Sequence, residues 1–516
     1  MLNGSTSRSG GTTPAQVPVE LRQVFPIASF VGCANIRVTG VTANSRECRP
    51  GMLFAAIPGT HVDGHDFAAD AVARGATALL VSHALPELTV PQCVVPNPRS
   101  AFAYLCAQLW RAPSRDMKTL GITGTNGKTT TTWLCRSILQ ATGRQVGLLG
   151  TIEYHDGVRG ERSTLTTPDA AVISNWLGRM VHQRTTHVAL EVSSHALDQD
   201  RIAGTELDVA AITNITQDHF DYHHNYDQYR QSKWRIVEHL KPGGCVILNA
   251  DDRQSWPRPA LLENRSRLTF GIESEADIRA QIIDQSLAGT LFELQLPQGT
   301  IEVQTPLLGK HNVANCLTAS AAACHLGLTI EQIAAGLRSL RAVPGRMEAV
   351  ECGQLFSVYV DYAHTDDALR RCIRGLRNVT LGRVIVVYGA GGDRDRSKRP
   401  LLTQAASEAD LAILTSDNPR TEDPEQIIRD CLAGAVIGRP QPQAMIDREL
   451  AIQAALNRAG PGDSVLIAGK GHETEQIVGT VRHHFDDREI VRQYLNSIPQ
   501  PTAVFQHPAS IYTASR

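Results

Sequence analysis

The chain reads as an α/β protein of three domains built on largely parallel sheets, and three observations predict this. Its 516 residues exceed what one hydrophobic core organises. Apolar runs alternate with helical stretches through two long blocks, the pattern of buried parallel strands joined by crossover helices. In the last block three such runs each end in a polar loop containing Gly or Pro. Those loops should meet at the carboxyl edge of one sheet, where open α/β sheets bind ligands.

Residues 1–20 open with MLNGSTSRSGGTTPAQVP, a polar stretch without the apolar core of a signal peptide, and read as a disordered leader. Residues 21–115 form the first domain: GMLFAAI and ATALLVS are strand-like, and HDFAADAVARG is a helix that Gly75 stops. RAPSRDM (111–117) reads as a linker. Residues 116–345 form the second domain, with KTLGIT, HVALEVSS, DVAAITNI and GCVILNADD as buried strands. Residues 346–498 form the third, with RVIVVYGAGGDRDRSKR, LAILTSDNPR and DSVLIAGKGHE as strand–loop units. The Pro/Ser-rich remainder, 499–516, reads as a flexible tail.

Hydrophobic content of 42% and charged content of 20% fit an ordinary globular protein. A net charge of −2 gives no electrostatic reason to expect nucleic acid or an anionic membrane as partner. No run of about 18 apolar residues is present, so no membrane insertion is expected. The 11 cysteines include no C-x-x-C pair, which argues against zinc and thioredoxin-like motifs. Scattered thiols suit the reducing cytoplasm. A monomer is expected.

The stretch LGITGTNGKTTTTWLC (120–135) reads as strand, Gly-rich turn and helix. The usual phosphate-loop spacing, G-x-x-x-x-G-K-[ST], needs Gly at 122, where Ile122 stands, so the loop is a variant. It still supplies a turn freed by Gly124 and Gly127, a helix N-terminus, the Lys128 charge and the Thr129 hydroxyl for Mg²⁺. The alternative is a plain glycine turn opening a helix. A Mg-nucleotide site also wants carboxylates at neighbouring strand ends. Glu191 ends one buried run, and Asp218 and His219 follow another. An ordinary strand-end acid is the plainer reading of Glu191.

GTNGKTT, EVSSHAL, ITNITQDHFDYH, HNVANCLTA, PGRME, VDYAHT, GAGGDRDRSKRP, DNPR and GKGHE occur in that order. Together they closely resemble the Mur ligase family, in its branch that adds the third peptide residue to a UDP-N-acetylmuramoyl dipeptide. The resemblance covers about Val41 to Tyr494. It implies an N-terminal UDP-binding domain, a central ATPase-like domain and a C-terminal Rossmann-like domain. It also implies ATP as co-substrate and Mg²⁺ as cofactor. ATP would phosphorylate the D-glutamate γ-carboxylate, and an amine would then displace phosphate.

By position, Gly124, Thr125, Asn126, Gly127, Lys128, Thr129 and Thr130 resemble the ATP phosphate loop. Glu191 and His219, with Thr129, resemble metal ligands; Lys233 matches a lysine carbamylated in the family, where the carbamate serves as a further ligand. Read without the family, Lys233 is a solvated helix lysine. Asn312, Asn315, Arg346, Asp361 and His364 resemble groups that hold the nucleotide from the next domain. Ser45, Thr60, His61, Val62, Thr166, Thr167, Ser193, Gln199 and Arg201 match contacts to the UDP-sugar dipeptide. Two departures stand out: Asn44 where the family usually has Asp, and Asp366 where it commonly has Pro.

In family members that add meso-diaminopimelate the donor loop reads D-N-P-R, as at Asp417, Asn418, Pro419 and Arg420 here. The chemistry agrees. Arg420 can grip a carboxylate bidentately, with Arg394 as a second partner, and Asp417 and Glu473 can take an ammonium. Gly469 belongs to the same group. DNPR is also expected to form a turn beginning at Asp417. Rival readings are lysine as donor, a folate polyglutamate ligase, and a nucleotide-dependent switch without ligation.

Overall fold

The computed structural model describes residues 15–59, 62–216, 220–223 and 225–498. Residues 1–14 of the expected leader, Thr60, His61, Asp218, His219 and the tail from 499 on lie outside them. Contacts divide the chain into two compact units, Met1–Asp284 with Gly289–Arg341, and Gln285–Ala288 with Ala342–Arg516.

The first unit carries a five-stranded sheet in the order Ser29–Val31, Gln92–Val94, Ala78–Val81, Met52–Ala55, Gly40–Thr42. Only its first pair is antiparallel. The helix Pro98–Leu109 packs on this sheet; Pro98 stands in its first turn and Asn97 caps it, accepting from Arg99 N and Ser100 N. The helix predicted at HDFAADAVARG begins as a 3₁₀ turn, Gly64–Phe67, becomes α-helical over Ala68–Ala73 and stops at Gly75, whose φ is +105°. The stretch 111–117 is packed rather than loose. It contains the 3₁₀ helix Pro113–Asp116, Pro113 and Ser114 are buried, and Ser114 Oγ accepts from Glu206 N at 3.0 Å.

The same unit carries an eleven-stranded sheet. Its centre is parallel, in the order Val146–Leu149, His187–Glu191, Lys118–Thr123, Leu207–Ile212, Leu240–Asn249, Ser266–Gly271. Lys118–Thr123 has partners on both sides and is buried beyond Lys118, so the sequence reads as a continuous apolar run instead of alternating. The four strands expected in this block are all present, and their carboxyl ends lie along one edge.

The second unit is a six-stranded sheet in the order Glu348–Ala349, Ser357–Asp361, Ser464–Ala468, Val384–Ala390, Leu411–Ser416, Gln443–Ala444. Its middle four strands are parallel, with Asp361 level with Ala468 and Ala390 level with Ser416. The loops that follow them therefore leave from one edge, as the strand–loop pattern predicted.

A buried ion pair ties this sheet to its helices. Arg448 and Asp487, each at a helix N-terminus, are fully buried. Arg448 Nε and Nη2 donate to Asp487 Oδ1 at 2.8 Å and Oδ2 at 2.7 Å, and Nη2 also donates to Ala468 O at 3.0 Å. Truncating one partner strands the other charge. Asp487→Ala should cost about 3–5 kcal/mol in chemical denaturation, and a paired Arg448→Met, Asp487→Leu variant should recover most of it. A loss below about 1 kcal/mol for the single change would show that the pair does not hold this unit together.

Candidate functional site

The turn between strand Lys118–Thr123 and helix Lys128–Gln140 is one that only glycine can build. Gly124 and Gly127 have φ of +149° and +88°. A Cβ at Gly124 would stand 1.9 Å from Thr213 Oγ1, and one at Gly127 would stand 2.3 Å from Asn315 Oδ1. Asn214 pins the loop: its carbonyl accepts from Thr125 N at 2.8 Å and its Oδ1 from Asn126 N at 3.1 Å. Lys128 Nζ folds over the turn and donates to Gly124 O at 2.8 Å and Thr125 O at 3.0 Å. Thr129 and Thr130 are buried in the first turn of the helix.

Glu191 ends the neighbouring parallel strand, paired with Ile122, and is 1% exposed. A buried carboxylate needs donors. Thr129 Oγ1 and Thr151 Oγ1 each donate to Glu191 Oε2 at 2.9 Å, and Thr151 N donates to Oε1 at 2.8 Å. Hydroxyl and carboxylate oxygens side by side, beside an anion cradle, are the donor set a hard divalent cation takes. His219 lies outside the described residues.

Lys233 departs most from its reading as a solvated lysine. It is 1% exposed in the helix Tyr226–Trp234, donates to Gly124 O at 2.8 Å and lies 4.5 Å from the centre of the Tyr229 ring. Tyr229 OH in turn lies 3.1 Å from Thr125 Oγ1. The signal was present: Lys233 falls four residues after Tyr229 and four before Val237, on the helix's apolar stripe.

Asn312 and Asn315 belong to the same unit as the phosphate loop, contrary to their reading as groups from the next domain. Both are buried in the helix Lys310–His325, Asn315 Nδ2 donating to Asn312 Oδ1 at 3.0 Å, and Thr131 Oγ1 donating to Asn315 Oδ1 at 3.4 Å.

A polar chain leads from Glu191 into a second group. Thr151 Oγ1, whose own proton goes to Glu191, accepts from Thr166 Oγ1 at 3.1 Å; Thr167 Oγ1 donates to Glu191 O at 2.8 Å and accepts from Ser193 N at 2.9 Å. Arg201 Nη1 donates to Thr167 O at 2.7 Å, while its Nε and Nη2 hold Gln199 Oε1 at 3.1 and 2.8 Å. Burial draws the Arg201 pKa down. Sequence reading missed Tyr222, whose hydroxyl accepts from Gln199 Nε2 at 3.2 Å and donates to Asp198 Oδ2 at 2.7 Å.

Ser45 and Val62 lie in the block of the first sheet, Ser45 buried against Asp70 and Val62 exposed; Thr60 and His61 lie outside the described residues. Asn44 caps the 3₁₀ helix Ser45–Glu47 by accepting from Arg46 N at 3.1 Å, a role Asp would fill equally. Asp366 opens the helix Asp366–Arg377, where Pro is welcome for its φ and Asp for its charge.

In the second unit Asp361 is a loop clamp. Its carboxylate accepts from Met347 N at 2.6 Å and Ala363 N at 2.7 Å, and burial pushes its pKa up. The Arg346 guanidinium lies 4.5 Å from the Tyr362 ring centre, and exposed His364 places Nδ1 2.8 Å from Tyr362 O. Asp417, Asn418, Glu473, Arg394 and Arg420 gather at the same sheet edge. Asn418 Nδ2 donates to Glu473 Oε2 at 2.9 Å. Arg420 has φ of +52° and donates through Nη1 to Gly392 O at 2.6 Å; burial and the nearby Arg394 charge draw its pKa down. Arg394 is exposed, donating to Asp393 O at 3.0 Å. Gly469, at φ +117°, leaves room for Asp417, whose Oδ2 would be 2.6 Å from a Cβ there. The turn closes from Glu422 N to Pro419 O at 3.1 Å, two residues later than the sequence suggested, because Arg420 pairs with the backbone at Ile477. Sequence reading also missed Lys470, buried beneath this group.

Known proteins resemble this chain over most of its length. Residues 37–109 match the Mur ligase family catalytic domain, 122–323 the Mur ligase middle domain, and 345–471 the Mur ligase glutamate ligase domain. The UDP-N-acetylmuramoyl-L-alanyl-D-glutamate–2,6-diaminopimelate ligase of Solibacter usitatus is 44% identical over 468 residues, 90% of this chain and 94% of that one. The ligase of the same name from Geobacillus thermodenitrificans is 42% identical over 465 residues, 89% and 95%. A solved structure of a ligase of that name has a TM-score of 0.66 at 32% identity, covering 93% of this chain and 99% of its own.

Gly127→Ala tests the cradle directly. Strain at positive φ and the Asn315 contact should cost roughly 1–3 kcal/mol, lowering the unfolding midpoint by a few degrees and, as the loop shifts to relieve it, lowering ADP affinity about tenfold or more in calorimetry. Unchanged affinity would show that nucleotide phosphates bind elsewhere.

Proposed function

The chain belongs to the Mur ligase family, and from that premise we propose that it is an ATP-dependent ligase joining meso-diaminopimelate to the D-glutamate of UDP-N-acetylmuramoyl-L-alanyl-D-glutamate, in peptidoglycan synthesis. The observation that carries the reading is the position of Glu191. One buried carboxylate holds Thr129 of the phosphate loop and, through Thr151 and its own carbonyl, Thr166 and Thr167 of the second group. On this reading the γ-phosphate and the acceptor carboxylate would meet at one strand end. A nucleotide switch needs no such junction.

A carboxylate is a poor electrophile and phosphate a good leaving group, so phosphoryl transfer to the D-glutamate γ-carboxylate precedes amine attack. The protein's work is positioning and charge stabilisation. Lys128 faces the phosphates, and Arg201, with Thr167 and Gln199, orients the dipeptide. Mg²⁺, when bound, would shield the γ-phosphate charge and polarise it; Thr129, Glu191, His219 and a carbamylated Lys233 would hold it. We assign UDP binding to residues 21–115, ATP binding to 116–345 and donor binding to 346–498. We assign nucleotide contacts to Asn312 and Asn315 in the first unit, and to Arg346, Asp361 and His364 in the second. Ser45, Thr60, His61, Val62, Thr166, Thr167, Ser193, Gln199 and Arg201 would take the UDP-sugar dipeptide. Among the described residues no helix is long and apolar enough to cross a membrane, and we place the enzyme in the cytoplasm.

The deciding experiment is phosphate release with ATP and the UDP-dipeptide, donor by donor. Release should depend on both the dipeptide and diaminopimelate, with lysine disfavoured by about 10⁴ because it leaves Arg420 without its carboxylate. Arg420→Ala should collapse that ratio, and Arg420→Lys should not restore it, since an ammonium cannot form the bidentate grip. Release that ignores the dipeptide would favour the switch; equal use of lysine would overturn the donor.

The buried position of Lys233 against Gly124 supports its modification. Enzyme equilibrated with ¹³C-bicarbonate should show a carbamate carbon signal that Lys233→Ala lacks, and that variant should be nearly inactive. A wild-type spectrum without the signal, from active enzyme, would overturn the carbamate.

A further inference from the structure

Beneath the donor loops Lys470 has no exposed surface, yet it carries three N–H donors. Each has an acceptor: Asn418 Oδ1 at 3.1 Å, Glu473 Oε2 at 3.2 Å and Glu475 O at 2.5 Å. The first two belong to groups read above as donor contacts. Lys470 therefore fixes both. Asn418 receives Lys470 and Ile477 N on its Oδ1, which turns its Nδ2 toward Glu473 at 2.9 Å. Glu473, whose side chain is 31% exposed, presents its outer face while Lys470 compensates its charge from below.

We propose that Lys470 is a positioning and specificity-determining residue for the amine donor, acting through Glu473 and Asn418; this rests on the ligase reading above. The argument is electrostatic. The far end of diaminopimelate carries an ammonium and a carboxylate and is neutral overall, whereas the far end of lysine is a bare cation. A buried ammonium directly behind Glu473 weakens the pull of that carboxylate on any cation. For diaminopimelate the loss is offset at its own carboxylate, which the same positive charge and Arg420 attract. Lysine has no such offset. Selectivity thus comes from a repulsive element as well as an attractive one. The field of these groups is shared: Asp417, Glu473 and Arg394 all act on Arg420 and on the buried Tyr362 hydroxyl, whose pKa burial and the carboxylates push up to about 12.

Removing the Lys470 charge makes the site one unit more negative, whatever its absolute balance. In Lys470→Met, the ratio of kcat/KM for diaminopimelate over lysine should fall at least about tenfold, chiefly through a lower lysine KM, while the KM for ATP stays put. Glu473→Gln, which removes the opposing charge, should raise the ratio; it serves as the second arm if Lys470→Met does not fold. An equal loss for both donors in Lys470→Met, or a ratio unmoved or lowered in Glu473→Gln, would make Lys470 a structural staple and overturn the proposal. Wild type that turns over with no amine at all would instead refute the ligase reading.

Discussion

The arrangement depends on one buried carboxylate. Glu191 sits almost without solvent at the carboxyl end of a central strand, where an anion is costly unless donors surround it. Those donors come from two places in the chain, Thr129 on the phosphate-loop helix and Thr151 after the adjoining strand, while Thr167 on the segment beyond donates to the Glu191 backbone carbonyl. Satisfying Glu191 therefore fixes the spacing between the anion cradle and the group around Arg201. Gly150 lacks a side chain for the same reason, since a Cβ there would lie 2.2 Å from Glu191 Oε1.

Close packing does the rest in the first unit. The phosphate loop has no slack: Thr213 fills the space beside Gly124, Asn315 that beside Gly127, and Asn214 pins the backbone between them. Lys233 reaches the same Gly124 carbonyl as Lys128, so two lysines more than a hundred residues apart converge on one oxygen. An anion cradle built this way is preorganised; little backbone entropy remains to be lost when a ligand arrives.

The second unit uses buried charge differently. Arg399 lies 2% exposed between Glu422 and Asp430 at 2.8 Å each, and this draws the Glu422 pKa to about 2. Glu422 Oε1 also accepts from Asp393 N at 2.6 Å, so the pair latches the Gly391–Asp393 loop to the loop bearing Arg420. Lys470 and Arg448 stand under the same edge. Loops at a sheet edge are ordinarily soft; here a floor of paired ions stiffens them, and Arg420 can hold a left-handed backbone.

The sequence by itself determined the strands, since a strand buried on both faces must read as an unbroken apolar run, as KTLGIT and SVLIA do. It determined the phosphate loop as well, because positive φ at Gly124 and Gly127 leaves a local mark. The loop DNPR was legible as a turn, its Asp, Asn and Pro being adjacent turn-forming residues, although the turn itself closes two residues later. What only the tertiary structure decided was the role of polar residues on helices and behind loops. Lys470 looks like any surface lysine, and Lys233, though on an apolar stripe, carries no local mark of its partner, because burial of a charge depends on acceptors from elsewhere: Asn418 and Glu473 for Lys470, Gly124 O for Lys233. Asn312 and Asn315 were read as groups of the next domain although they lie in the same unit as the phosphate loop, because only the packed helix brings Asn315 to Gly127 and Thr131. Backbone conformation and hydrophobic periodicity are local properties that a sequence records; a buried ion's partner is a long-range property, fixed only when the chain has closed around it.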